Sequence, residues 1–169
     1  MNSNALEYVL VTPARNEAGY IEATLQSVVA QTRKPKRWVI VSDGSTEGTD
    51  DIVSRYQSGR EWIHLVRLPE HRERNFAAKV QAINAGLERI TEVSYDLIGN
   101  LDADVSFEED YFEYLLEKFR ENPKLGVGGT HYVEGEFHSF NDSNMSPKHV
   151  NGAVQVFRRE CFEEIGGYT

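Results

Sequence analysis

Apolar runs and helical stripes alternate along this chain. Residues 7–12, EYVLVT, form a short apolar run rich in β-branched side chains, the pattern of a buried strand. Ile21, Leu25, Val28 and Val29 follow at i, i+4, i+7 and i+8, which predicts an amphipathic helix. A second strand is predicted at 37–43, RWVIVSD. The Gly/Ser/Thr loop behind it passes into a helix, with Thr49 as the expected N-cap and Asp50 and Asp51 in the first turn, where the helix dipole favours acids. IHLVRL (63–68) reads as a third strand, and a long helix with Val80, Ile83, Leu87 and Ile90 on one face follows. YDLIGNL (95–101) reads as the fourth strand. Ser106 and Glu109 have capping-box spacing ahead of a helix striped by Phe112, Leu115, Leu116 and Phe119 and stopped by Pro123. The last stretch, AVQVFRRECFEEIGGYT, predicts one more strand and a short helix.

Four rounds of strand then helix predict an α/β fold, with a mostly parallel central sheet covered by helices on both faces. The 169 residues suit a single domain. The polar, unpatterned segment 134–151 is expected to be a mobile loop. Parallel sheets bind ligands beyond the carboxyl ends of their strands. The informative positions are therefore Thr12 to Glu17, Asp43 to Ser45, the segment after Leu68, and Asp102 to Asp104.

Composition narrows the classes. A formal net charge of −9 argues against a nucleic-acid partner, because phosphate backbones need a basic face. No apolar stretch reaches the roughly 18 residues that a membrane span requires. The opening residues, MNSNALEYVLVTPARNE, have no basic start and no long apolar segment, so no secretory leader is expected. A single cysteine, Cys161, precludes an internal disulfide and fits a reducing cytosol; it is expected to be a buried apolar filler.

The candidate chemistry starts at LDADV, 101–105, where an apolar run ends in two acids. At a strand end, alternate side chains point to one side, roughly 6–7 Å apart. Asp102 and Asp104 placed so can share one hard divalent cation, Mg²⁺ or Mn²⁺, directly or through water, with water and phosphate oxygens completing its shell. The bland alternative makes both of them solvated loop acids, with one capping the next helix. Asp43 either accepts hydrogen bonds from a base or ribose or simply shapes the turn before Gly44. His71, Arg72, Arg74 and Lys79 cluster after the third strand; Lys79 is the best phosphate ligand among them, and Arg15 divides the same way between phosphate and solvent. His64, His131, His138 and His149 show no metal spacing, and Ser45 has no nearby histidine to activate it.

Five stretches carry a resemblance: VTPARNEAGYIEATLQSVVAQT (11–32), VSDGSTEGTDDIV (41–53), AKVQAINAGL (78–87), LDADV (101–105) and GAVQVFRRECFEEIGGYT (152–169). In this order they resemble the N-terminal part of a family 2 glycosyltransferase of the Rossmann-like GT-A fold. The resemblance implies inverting transfer of a sugar from a nucleoside-diphosphate sugar, commonly a UDP- or GDP-sugar, to a glycan, lipid or protein acceptor. It implies that Thr12, Pro13, Arg15 and Glu17 line the nucleotide pocket, that Asp43 contacts the base, and that Lys79 lies near the diphosphate. It places Asp102 at the ribose and metal and Asp104 on the metal. It implies a cytoplasmic setting and leaves peripheral contact with the inner face of a membrane open.

Three departures stand out. Ser42 and Glu47 occupy positions where the family often has Asp. The chain also ends at EEIGGYT, where the family continues into an acceptor-side segment with an acidic general base. These 169 residues are thus expected to carry mainly the donor-binding half, with the base beyond residue 169 and little transfer by this piece alone. Three rivals remain at this point. A haloacid dehalogenase-type phosphatase would use Asp102 as nucleophile and Asp104 as acid/base, but its D-x-D normally opens the chain. A nucleotidyltransferase would need a glycine-rich basic loop where TPARNEAG stands. A non-catalytic nucleotide-sugar-binding domain would need only the donor residues.

Overall fold

The computed structural model describes residues 5–70, 76–131, 133–134, 137–138 and 150–168. Four strands, β1 (Tyr8–Ala14), β2 (Arg37–Asp43), β3 (Ile63–Leu68) and β4 (Leu97–Leu101), alternate with α1 (Ile21–Ala30), α2 (Thr49–Gln57), α3 (Phe76–Leu87) and α4 (Tyr111–Glu121). β5 (Val127–Gly128), β6 (Val133–Glu134), β7 (Phe137–His138), β8 (Val154–Arg158) and α5 (Arg159–Glu164) follow.

The main sheet runs β3-β2-β1-β4-β8-β5. Its first four strands are parallel, with Val11 opposite both Val39 of β2 and Asn100 of β4. β8 enters antiparallel to β4, and β5 pairs antiparallel to β8. The expected mostly parallel α/β architecture is thus present, with two antiparallel strands closing one side.

Strand alternation divides the core in two. Tyr8, Leu10, Trp38, Ile40, Ile63, Leu97 and Leu101 face α1, α2 and α4, meeting Leu25, Val28, Val53, Phe112 and Phe119. Val9, Val11, Val39, Val41 and Ile98 face the other way, toward Ala82 and Ile83 of α3 and Phe162 of α5. Both faces of these strands are buried, which explains why they read as continuous apolar runs rather than alternating ones. α3 lies close against the sheet: a Cβ on Gly86 would stand 2.6 Å from Val11 Cγ1 and 3.1 Å from Val41 Cγ2. That close seat brings the first turn of α3 to the strand tips.

Several local expectations are corrected. Thr49 is the first helical residue of α2, and Gly48 is its N-cap. Ile90 is buried but lies three residues past the end of α3. The Ser106/Glu109 capping box does not form, since α4 begins only at Tyr111 with Asp110 as N-cap and no side-chain bond from it. Gln31 of the α1 end does that job across the fold: its Oε1 accepts the Phe112 N–H at 2.9 Å, and its Nε2 donates to the Glu108 carbonyl at 2.7 Å. Cys161 is half-buried and sits beside Gly126. Of the expected loop 134–151, Glu134, Phe137 and His138 belong to the β6/β7 pair, 150–151 are described without regular structure, and 135–136 and 139–149 lie outside the described residues. His71, Arg72 and Arg74 lie outside them as well.

Candidate functional site

One cleft of about 510 Å³ opens at the carboxyl ends of the parallel strands. Its size suits a small-molecule site. β1 and the loop after it supply Pro13, Ala14, Arg15 and Glu17; β2 supplies Asp43; the first turn of α3 supplies Ala78 and Lys79; the turn that leaves β4 supplies Asp102, Ala103 and Asp104. Seven of the eight residues to which the family resemblance gives a role therefore meet around one space.

Thr12 is the exception. Its side chain is fully buried under the cleft, where Oγ1 accepts the Trp38 indole N–H at 2.9 Å. Alternation explains this: Thr12 shares the strand face of Tyr8 and Leu10, which looks into the core rather than out of the strand tip.

Charge sets the character of the cleft. Lys79 Nζ donates to Asp102 Oδ1 at 2.7 Å. Arg15 Nη1 stands 3.8 Å from Asp43 Oδ2, and both side chains are largely buried. Burial pushes the Asp102 carboxyl above the usual aspartate range; the Lys79 ammonium opposes that rise, and the Asp104 charge adds to it. Among the described residues that line the cleft, Glu17, Asp43, Asp102 and Asp104 stand with Arg15 and Lys79, four carboxylates against two cations. These described residues present a net negative wall to an anionic ligand.

The donor set fits a hard divalent cation. Asp102 and Asp104 flank one exit of the cleft, with Asp104 exposed and Asp102 part-buried. Among the described residues no cluster of three or more His, Cys, Asp or Glu forms. Two carboxylates with room for water and ligand oxygens are what Mg²⁺ or Mn²⁺ accepts, whereas an all-protein cage is not.

The two loops that carry Arg15 and Asp43 are tied together. The Asn16 N–H donates to Ser45 Oγ at 3.1 Å, and Asn16 Oδ1 accepts the Thr46 N–H at 3.0 Å. Glu17 N–H donates to Thr49 Oγ1 at 2.8 Å, and Ala18 N–H donates to Glu47 Oε2 at 3.2 Å. The Thr49 hydroxyl and N–H in turn donate to Glu47 Oε1. Sequence reasoning had no role for Asn16, Ser45 or Thr49 at the site; the available signal was a polar run with a glycine in each loop. Behind Asp102, the Tyr168 hydroxyl donates to Gln155 Oε1 at 2.8 Å. Burial pushes the Tyr168 phenol up to about 12, opposed by a bond from Asn100 and assisted by the Asp102 charge.

A model of the glycosyl transferase family 2 matches residues 9–166. The chain belongs to that family. The match takes in four of the five motif stretches whole and the fifth as far as residue 166, which favours this family over the phosphatase and nucleotidyltransferase alternatives. The family 2 chain is 34% identical over 112 residues to poly-beta-1,6-N-acetyl-D-glucosamine synthase of Staphylococcus aureus, covering 66% of this chain and 25% of the synthase. The Staphylococcus epidermidis synthase is 32% identical over the same length. Among solved structures it resembles the mannosyltransferase PcManGT from Pyrobaculum calidifontis in complex with GDP-Man and Mn²⁺, at TM-score 0.71 and 21% identity over 98% of this chain and 48% of that one. It also resembles S. aureus TarS in complex with UDP, at TM-score 0.68 and 16% identity over 96% of this chain and 50% of that one. These likenesses show the GT-A fold. The chain spans a quarter of the length of the synthases and about half of the solved chains. Among the described residues no helix is long and apolar enough to cross a membrane.

Proposed function

We propose that this chain binds a nucleoside-diphosphate sugar in the strand-tip cleft, with Mg²⁺ or Mn²⁺ at Asp102 and Asp104, and carries the donor side of an inverting glycosyl transfer. The observation that supports this most is the meeting of Pro13, Arg15, Glu17, Asp43, Lys79, Asp102 and Asp104 around one cleft from four separate elements. Asp43, nearly buried at the β2 tip, accepts hydrogen bonds from the base. Arg15, beside it, orients that carboxylate and faces the diphosphate. Lys79 moves between Asp102 and a phosphate oxygen, which its flexible stem allows. The cation, when bound, stabilises the negative charge that gathers on the departing nucleoside diphosphate. The similar structures of PcManGT with GDP-Man and of TarS with UDP-GlcNAc make these the first donors to test, and the similar synthases make a growing glycan the first acceptor. The lone Cys161 suits a cytoplasmic setting for such a donor site.

Calorimetry with UDP and GDP tests the reading. Mn²⁺ should tighten the binding of one of them by about tenfold or more, and Asp104→Ala should abolish that gain. Equal affinity with and without the cation in the unaltered chain would remove the metal site from the account.

A further inference from the structure

The bonds between the β1 and β2 loops do more than close a surface. Arg15 and Asp43 must stand together for the cleft to present both, yet each sits at the start of a polar loop. Arg15 is the peptide neighbour of Asn16, and Asp43 lies two residues before Ser45. Asn16 adopts φ 57°, the left-handed region, and is the described non-glycine residue that does so. Asn is among the residues that tolerate that region, but it still costs energy and persists only where the surroundings hold it. Here the surroundings are two bonds, from its own N–H to Ser45 Oγ and from the Thr46 N–H to its Oδ1. The side chain is exposed and does not line the cleft, so neither core packing nor ligand contact accounts for the strained backbone. What the conformation achieves is a turn that delivers Arg15 inward and engages the D-G-S loop in the same step. Glu47 and Thr49 extend the tie to the backbone of Glu17 and Ala18, so both loops are fixed in one register at the mouth of the cleft.

Resting on the donor-site reading above, we propose that Asn16, acting with Ser45, is a positioning residue that presets the Arg15–Asp43 pair for the nucleotide. A clasp formed before the ligand arrives spares the ligand the ordering of two loops, which otherwise weakens binding. The clasp also explains the short spacing between the charged pair and the polar residues that follow each member.

The test titrates UDP and GDP separately, with Mn²⁺ present, into the unaltered chain and into Asn16→Gly, Asn16→Asp and Ser45→Ala. Glycine takes the left-handed conformation freely, so Asn16→Gly removes the side-chain bond without a folding penalty from the backbone. Asn16→Gly and Ser45→Ala should each weaken the bound nucleotide about three- to tenfold, the worth of one hydrogen bond, while thermal midpoints stay near that of the unaltered chain. Asn16→Asp, which keeps an acceptor for Thr46, should restore most of the affinity. Asp43→Asn should cost less affinity in the Asn16→Gly background than alone, because the carboxylate is already out of place there. Unchanged affinity in Asn16→Gly and Ser45→Ala, or strict additivity with Asp43→Asn, overturns the inference and leaves the donor site standing. Failure of the unaltered chain to bind either nucleotide overturns both.

Discussion

Two hydroxyls near the cleft, Thr12 buried and Tyr168 part-buried, act as support and not as ligand contacts. Thr12 accepts the Trp38 indole N–H in the core and turns away from the ligand space. Thr12→Val keeps its shape and strands the buried indole donor. An unpaired buried donor costs about 1–3 kcal/mol, so urea denaturation should show that loss while UDP or GDP affinity stays unchanged. A fall in affinity with full stability would place Thr12 in direct contact instead. Tyr168 gives a pH signature. Its phenol is raised from 10.0 to about 12, so the folded chain holds this proton more tightly than the unfolded chain does. The corresponding stability is fully present below pH 10.0 and is lost as pH rises toward about 12. Because the ring is only part-buried, the contribution is on the order of 1 kcal/mol after allowance for solvent. Tyr168→Phe should flatten the alkaline fall in stability across that interval in denaturation series; an unaltered slope would show that other groups control it. Tyr8, more deeply buried and donating to the Arg33 carbonyl at 2.6 Å, has its phenol raised in the same direction and keeps a share of the slope in either chain.

At the scale of elements, sequence periodicity carries as far as contacts stay local. The runs at 37–43 and 63–68 match β2 and β3 in full, and Phe112, Leu115, Leu116 and Phe119 are all buried along α4. The antiparallel direction of β8 was not legible, because it follows from how the chain returns to β4 and not from any pattern in VQVFR. The start of α4 was misread for a related reason. Ser106 and Glu109 have the local spacing of a cap, yet the bond to the Phe112 N–H comes from Gln31, 81 residues away. The same limit hid the clasp: Asn16 and Ser45 look like two ordinary loop residues until β1 and β2 pair side by side. The convergence of Asp43, Asp102 and Asp104 on one cleft, by contrast, was legible, because neighbouring strand ends in a parallel sheet open on the same side. Gln31 supplies a direct check. It is 1% exposed and bonds both the Phe112 N–H and the Glu108 carbonyl. Gln31→Leu should fill the same space and strip the Phe112 N–H of its acceptor, while the Glu108 carbonyl keeps the Tyr111 N–H, costing about 1–3 kcal/mol of stability. A neutral result in urea denaturation would mean that water satisfies the α4 start.

Over the whole molecule, the sign of the charge poses the sharper problem. The chain carries a formal net charge of −9, and the described residues that line its cleft set four carboxylates against two cations. A nucleoside diphosphate is itself an anion, so both the distant field and the cleft wall repel it. Helix and loop N–H groups attract it only at short range. Two consequences separate this arrangement from a basic phosphate pocket. Without a divalent cation, UDP and GDP should bind more tightly as ionic strength rises from low salt to about 0.15 M, because screening reaches roughly 8 Å there and relieves the repulsion. With Mn²⁺ saturating, the nucleotide arrives with most of its charge neutralised, and that dependence should flatten. A basic pocket behaves in the opposite way, losing affinity as salt rises in either condition. Titrations across a salt series, with EDTA in one arm and Mn²⁺ in the other, read this directly. Affinity that falls steadily with salt in the EDTA arm would show that Arg15 and Lys79 outweigh the four acids, and the need for a cation at Asp102 and Asp104 would go with it.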